Sequence, residues 1–223
     1  MATYSIRKFK DRDHEAVRTM FAEGMLEHIP ASHRFLLMCP QVHMFFLAVF
    51  LVIFIVFQSY LISAIVIVVV FVVGRLYLDF QFQSYVKQSL SEDLLDIQKS
   101  YMQKEGACFW VAVSGSEVVG MVAAQPFQTS DGEAKVELKR MSVGRKCRGQ
   151  GIGKGLCRAV IGFARERGCK AVVLHTSVVQ YDAHKLYERV GFYKLPNPMF
   201  FSFLARVINF GILCYTCDLP PSS

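Results

Sequence analysis

Residues Arg145 to Gly155 read Arg-Lys-Cys-Arg-Gly-Gln-Gly-Ile-Gly-Lys-Gly, four glycines alternating with other residues behind a basic cluster. An apolar, strand-like run from Val136 to Val143 precedes them, and a helix-like run from Leu156 to Arg167 follows. Strand, glycine-rich loop and helix together build a pyrophosphate site. The glycines let the backbone approach the anion, and the helix start offers unpaired N–H groups at a positive dipole end. Spacing excludes two familiar loops. A P-loop needs a glycine where Arg148 stands, and a Ser or Thr where Gly155 stands. A dinucleotide fingerprint read from Gly149 or Gly151 puts Lys154 or Leu156 at its third glycine. What remains is Arg-x-x-Gly-x-Gly, at Arg148, Gly151 and Gly153.

The rest of the chain must position this loop. At 223 residues it allows one domain or two, and its formal charge is +7. A basic excess suits nucleic acid, a membrane surface or an anionic cofactor. No run of Lys and Arg with interleaved aromatics marks a nucleic-acid face, so direct nucleic-acid binding is not expected. The seven cysteines are odd in number and scattered, which suits free thiols in a reducing compartment. Cys214 and Cys217 form a C-x-x-C with no second pair or histidine cluster to complete a zinc site, so no metal is expected.

From about Met44 to Val73 the sequence is Phe, Leu, Val, Ile and Ala, interrupted only by Gln58-Ser59-Tyr60 and Ser63. No charge falls between Arg34 and Arg75. About eighteen apolar residues suffice for a membrane segment. One straight helix here would span about 45 Å, too long for a hydrocarbon core of about 30 Å. The polar midpoint therefore predicts two short arms meeting at a turn.

Around this insert the periodicities alternate. Tyr4 to Phe9 reads as a strand. Asp11 or Asp13 caps a helix carrying Val17, Met20 and Phe21, with a break near Ile29-Pro30. So polar a start is not a signal peptide. Tyr85 to Met102 reads as an amphipathic helix ended by Gly106. Phe109 to Val113 and Val118 to Ala124 form a hairpin, with Gly120 at a bulge or close approach. Pro126 to Glu133 is a polar loop. After the glycine loop, Leu156, Val160, Ile161 and Ala164 line one helix face. Ala171 to Leu174 is a buried strand, and Asp182 opens a helix that Gly191 ends. His184 and Lys185 fall on that helix's exposed side. Met199 to Leu213 is expected as a strand pair in preference to another membrane helix.

Ala183-x-x-Leu186-Tyr187-Glu188-x-x-Gly191-Phe192 follows the Arg148 loop by about thirty residues, with one strand between. Both motifs, in this order, resemble the GCN5-related N-acetyltransferase superfamily. The apolar insert between the first two helices, together with Cys108-Phe109-Trp110-Val111-Ala112, is similar to its camello-like, N-acetyltransferase-8 membrane-bound group. The resemblance implies an α/β (α+β) acyl-CoA N-acyltransferase fold, a mixed central sheet with helices on both faces. Residues 1–34 supply the first strand and helix, 35–78 a membrane-inserted helical hairpin, and 79–223 the remainder of the domain. A domain cannot fold with a piece on each side of a bilayer, so the insert leaves and returns on one face.

The resemblance also implies the chemistry. Acetyl-CoA is the cosubstrate. Its pyrophosphate lies on the N–H groups of Gly149, Gln150, Gly151, Ile152, Gly153 and Lys154, with charge from Arg148 and Lys154. Main-chain groups of Met141 and Val143 pair with the pantetheine arm, and one N–H there polarises the thioester. Gln180 stands where many relatives carry a cofactor-contacting asparagine. Tyr187 is the expected acid for the leaving thiolate. Glu137, the only carboxylate in the central strand, is the expected base, often through water in relatives. His175, at the end of the next strand, is the alternative, since imidazoles titrate near neutrality. The implied function is membrane-bound transfer of acetyl to a primary amine, foremost a small amphiphilic amino acid such as a cysteine S-conjugate. The alternatives are a lysine on a protein, histones included, and a silent CoA-binding membrane protein. The expected location is the endoplasmic reticulum, with the domain on the cytosolic side and the bilayer as a partner.

Overall fold

The structure, a computed structural model, describes residues 4–128 and 132–220. Its centre is a mixed sheet of strands β1 (Ser5–Lys8), β2 (Cys108–Ser114), β3 (Glu117–Gln128), β4 (Ala134–Val143), β5 (Ala171–Ser177), β6 (Tyr193–Lys194) and β7 (Ile212–Asp218). Their spatial order is β1-β2-β3-β4-β5-β7-β6. Only β4 and β5 run parallel; the other neighbours are antiparallel.

The continuous apolar sequence of β2 is explained by burial on both faces. Cys108, Trp110 and Ala112 enter one core with Val122, Leu138, Val172 and the helix α5 (Ile152–Glu166). Phe109 and Val111 enter the other with Met121 and, from helix α1 (His14–Leu26), Val17 and Phe21. Successive strand residues point to opposite faces, so such a strand needs apolar side chains throughout. On α5, Leu156, Val160 and Ala164 are buried, as helical spacing predicts. Helix α5 lies so close to the sheet that a Cβ on Gly120 would stand 3.0 Å from Ile152 Cγ2 and 3.1 Å from Leu156 Cδ1.

Between α1 and β2 come helices α2 (Ile29–Met38), α3 (Pro40–Phe57) and α4 (Tyr60–Ser91). Helices α3 and α4 are each long and apolar enough to cross a membrane. They meet at the predicted turn. Gln58 takes a left-handed conformation, φ 48°, and Ser59 Oγ accepts the Ile62 N–H at 3.4 Å. Phe54 stacks on Tyr60 across the turn, ring centroids 4.4 Å apart. Phe46 and Phe71 meet farther from the turn at 6.4 Å.

Several sequence expectations need correction. The helix predicted from Tyr85 to Met102 is not one element. Tyr85 to Ser91 is the last part of α4, so the second apolar arm runs unbroken into the domain, and Gln98–Met102 forms a separate π-helical turn. Strand β3 continues past Ala124 to Gln128, pairing Pro126 with Val136, so the polar loop begins later than predicted. Part of that loop, residues 129–131, lies outside the described residues. Met199 to Leu213 is not a strand pair. Met199 bridges Ile212, and a short helix α7 (Phe203–Val207) lies between. His184 is half-buried, bonded to Ser177 O at 2.9 Å and stacked on Tyr215.

Candidate active site

Strand β4 carries a bulge at the middle of the sheet. Met121 faces Ser142 and Ala123 faces Lys139, so Val122 alone opposes Arg140 and Met141. Arg140 sits at φ 52°, a left-handed conformation rare for a residue with a side chain. Pairing of β4 with β5 stops at Leu138 and Leu174, although β4 continues along β3 and β5 along β7. The two parallel strands therefore part just where the bulge begins. A wedge opens there beside Met141 and Val143, the two residues expected to hold the pantetheine arm.

The loop at the end of β4 turns through a 3-10 segment, Arg145–Cys147, and enters α5 at Gly151. Gly149 (φ 79°) and Gly151 (φ 83°) take left-handed conformations that a side chain would strain. Tyr4 Oη donates to the Gly151 carbonyl at 3.2 Å, fastening the N-terminal segment to the loop. Gly153 serves close packing: a Cβ there would come within 2.8 Å of Leu186 and 3.2 Å of Met141. Gln150 and Lys154 are exposed, and Ile152 is buried as the first core residue of α5.

Arg148 is already engaged. Its guanidinium donates to both Glu27 oxygens, at 3.1 and 2.5 Å, and its Nε donates to the Val143 carbonyl at 3.1 Å. Arg145 Nε adds a 2.6 Å bond to Glu27 Oε1. Sequence reasoning missed Glu27, an acidic residue at the end of α1 far from the loop in the chain. The Arg148 hydrogen bonds hold the Glu27 carboxyl below the usual range against its partial burial. A group so shifted contributes stability above the unfolded glutamate pKa of about 4.3 and loses it as pH falls through the folded value. Glu27→Gln is therefore expected to cost about 0–1 kcal/mol at neutral pH, an exposed-pair magnitude, and nothing in acid. It removes a negative charge beside the anion loop, so the KM for acetyl-CoA should fall. Thermal melts at two pH values and a KM measurement check this; a raised KM would show that Glu27 sets the arginines for the anion.

Helix α6 (Tyr181–Val190) brings Tyr187 into the core shared by Leu138, Met141 and α5. The Tyr187 ring is buried against Phe192 and Tyr215, at 5.9 and 6.1 Å. Among the described residues its hydroxyl has no hydrogen-bond partner. Burial, then the nearby Cys157 thiol, pushes the phenol pKa well above its ordinary value, so it keeps its proton. Burial likewise pushes Cys157 up to about 12, which leaves it a neutral packing group 3.7 Å from Met141 Sδ. Gln180 is turned inward. Its Oε1 accepts from Thr176 Oγ1 at 2.5 Å and from the Ser177 N–H at 3.2 Å, closing the turn before α6.

The two candidate bases prove to be one unit. Glu137 Oε1 lies 2.8 Å from His175 Nδ1, and Gln125 Nε2 donates to Glu137 Oε2 at 3.0 Å. Burial alone would raise the Glu137 pKa. The His175 hydrogen bond, the Lys139 charge and the Gln125 amide outweigh it and hold the carboxyl below the ordinary range. Glu137 is thus an anion that accepts the Nδ1–H hydrogen bond, the usual way a carboxylate fixes an imidazole tautomer with Nε2 as the acceptor. Glu137 and His175 stand on either side of the last paired residues, Leu138 and Leu174, at the apex of the wedge.

Arg140 was also missed. It donates to Asp93 at 2.9 and 2.6 Å, to Tyr85 Oη at 3.0 Å and to Ser89 Oγ at 2.9 Å. Its guanidinium lies 4.9 Å over the Phe21 ring, and Tyr101 Oη donates to Asp93. The bulge of β4 is thereby clamped to the inner end of α4. Two consecutive charges, Lys139-Arg140, interrupting an alternating strand were the available signal.

A sheet that splits at a bulged central strand, with a glycine loop feeding a helix at the split, defines an acyl-CoA-dependent transferase. Residues 75–192 match the Acetyltransferase (GNAT) family, and the chain belongs to it. Within it the chain falls in the N-acetyltransferase 8 and camello group. It is 37% identical to N-acetyltransferase 8 of Rattus norvegicus over the full length of both chains. It is 41% identical to the "Probable N-acetyltransferase camello" of Xenopus laevis, over 98% of this chain and 99% of that one. In fold it is similar to a GNAT-family acetyltransferase of Staphylococcus aureus, TM-score 0.56 at 16% identity, covering 98% of this chain and 100% of the other. The protein is an acetyl-CoA-dependent N-acetyltransferase.

Proposed function

We propose that the protein is a membrane-anchored enzyme that acetylates the primary amine of a small amphiphilic amino acid, of which a cysteine S-conjugate is the model. The observation that supports this reading is the placement of the Glu137–His175 pair. It stands at the apex of the β4–β5 wedge, and β5 pairs with β7, the strand that follows the apolar 195–211 excursion beside α2 and the start of α3.

In this reading the loop N–H groups from Gly149 to Lys154 hold the pyrophosphate, and the exposed Lys154 adds charge. The pantetheine arm lies in the wedge along Met141 and Val143. The amine attacks the thioester carbon, and His175 Nε2 takes its proton, directly or through a water, while Glu137 stabilises the resulting imidazolium. A β4 N–H stabilises the oxyanion. The C–S bond breaks, and Tyr187 gives its proton to the leaving thiolate. The Cys157 thiol lies 3.7 Å from Met141 Sδ and beside the Tyr187 phenol, so the phenol stands on the Met141 side of the wedge. Helices α3 and α4 form the hairpin anchor, which leaves and returns on one side of an endoplasmic reticulum membrane, with the domain facing the cytosol.

A panel of acceptors tests the reading. S-substituted cysteines of increasing chain length, lysine peptides and acidic amino acids are compared by kcat/KM in the lipid-reconstituted full chain. The expected order rises with apolar length among the cysteine conjugates. A preference for lysine peptides would transfer the assignment to protein acetylation, the second reading.

A further inference from the structure

Between Leu195 and Gly211 the chain reads Leu-Pro-Asn-Pro-Met-Phe-Phe-Ser-Phe-Leu-Ala-Arg-Val-Ile-Asn-Phe-Gly, with one cation, Arg206, and no carboxylate. This stretch presents its largest apolar side chains to solvent. Phe201 is 85% exposed and Phe203 83%, and Met199 and Val207 are exposed beside them. Two exposed phenylalanines separated by one residue are not how a water-facing loop is built.

The excursion stands beside the hairpin. Phe210 packs edge-on against Phe35 of α2, ring centroids 5.6 Å apart. The Cys39 thiol, one residue before the start of α3, points at the Ile208 carbonyl 3.7 Å away. The apolar stretch and the first apolar arm thus leave the domain at the same place. The start of α3 lies beside Ile208, the residue that follows α7.

We propose that residues 199–207 form a third, interfacial membrane contact, with Phe201 and Phe203 in the upper acyl region and Arg206 among the headgroup phosphates. The occupant of this surface is lipid. The combination of exposed aromatics, a lone cation and no acidic residue suits an interfacial segment, which buries its apolar side about 5–10 Å below the headgroups. Aromatic rings and arginine are favoured at that depth. The inference rests on the membrane anchoring proposed above. It deepens it, because Ile212 and Gly211 lead straight from this stretch into the strand paired with His175. The mouth of the acceptor site would then open at the lipid surface, where amphiphilic amines concentrate.

The test uses the full chain in vesicles containing acyl-brominated lipids. The only native tryptophan, Trp110, is buried against Phe163 and serves as an unquenched reference. Phe201→Trp and Phe203→Trp report the excursion, and Phe54→Trp in α3 reports the hairpin. Retained acetyl transfer certifies that each variant is folded. The expected result is roughly twofold or greater quenching of the Phe201→Trp and Phe203→Trp emission by bromines near the headgroup, with less from bromines near the bilayer centre, as follows from the interfacial depth. Quenching of Phe54→Trp alone overturns this inference and leaves the anchor standing, with a protein surface or a second copy as the cover of the excursion. Absence of quenching at Phe54→Trp removes the anchor and the inference together.

Discussion

Tyr187→Phe lowers kcat by about 10²-fold or more, the typical value of a general acid, while KM for acetyl-CoA changes by less than about threefold. The split follows from what the substitution keeps. The ring stays packed against Phe192 and Tyr215, so the fold and the wedge persist. Only the hydroxyl goes, and it has no partner among the described residues whose loss would disturb the core. Burial, reinforced by the Cys157 thiol, holds its proton throughout the working range, so wild type should lose no activity from phenol ionisation near neutral pH. Steady-state kinetics decide the matter. An unchanged kcat would reduce Tyr187 to a core aromatic and leave thiolate protonation to solvent.

His175→Ala is expected to lower kcat/KM for the acceptor by about 10²–10⁴-fold, the range for a positioned base. Glu137→Gln should cost less, because the amide still holds the ring but no longer stabilises its cationic form. The two substitutions share one pair, so the double variant should lose little more than His175→Ala alone. The pH profile separates the roles. Glu137, held low chiefly by His175 against its burial, is ionised at every pH above the usual carboxylate range of about 4.3. An acid limb that His175→Ala removes assigns the base to His175. A limb confined to the carboxylate range and abolished by Glu137→Gln would return the role to Glu137 itself.

The parts of the site that were legible in the sequence are those where local chemistry dictates geometry. Gly149 and Gly151 stand where the loop needs left-handed backbone, and Gly153 where a helix needs room, so their spacing announced the loop before any fold was known. Gly191 ended α6 for the same kind of reason, with φ 108°. The turn at Gln58-Ser59 was visible because polar residues interrupt an otherwise unbroken apolar run. Illegible were the partnerships made across long separations. Glu27 meets Arg148 and Asp93 meets Arg140 only because helices α1 and α4 pack beside β4, and Glu137 meets His175 only because β4 and β5 are neighbours. The end of the predicted helix at Tyr85 was misread for a related reason. Its amphipathic face begins inside α4, so periodicity saw the face and not the continuity.

The order of the strands in space has a consequence for how the enzyme is made. Strand β1 lies at one edge of the sheet, where Ser5 pairs with Val113 and Lys8 with Trp110. A ribosome emits the whole hairpin between those partners, so the first strand must wait, tethered and unpaired, while α3 and α4 are synthesised. At the other side β7 enters between β5 and β6 and completes the layer that carries His175. The wedge cannot close around its chemistry until that late strand has been made. Contacts of such sequence separation form slowly and leave apolar edges bare meanwhile. Closure of the sheet around His175 is thus the late step of folding, after the first strand has waited for its partner across α3 and α4.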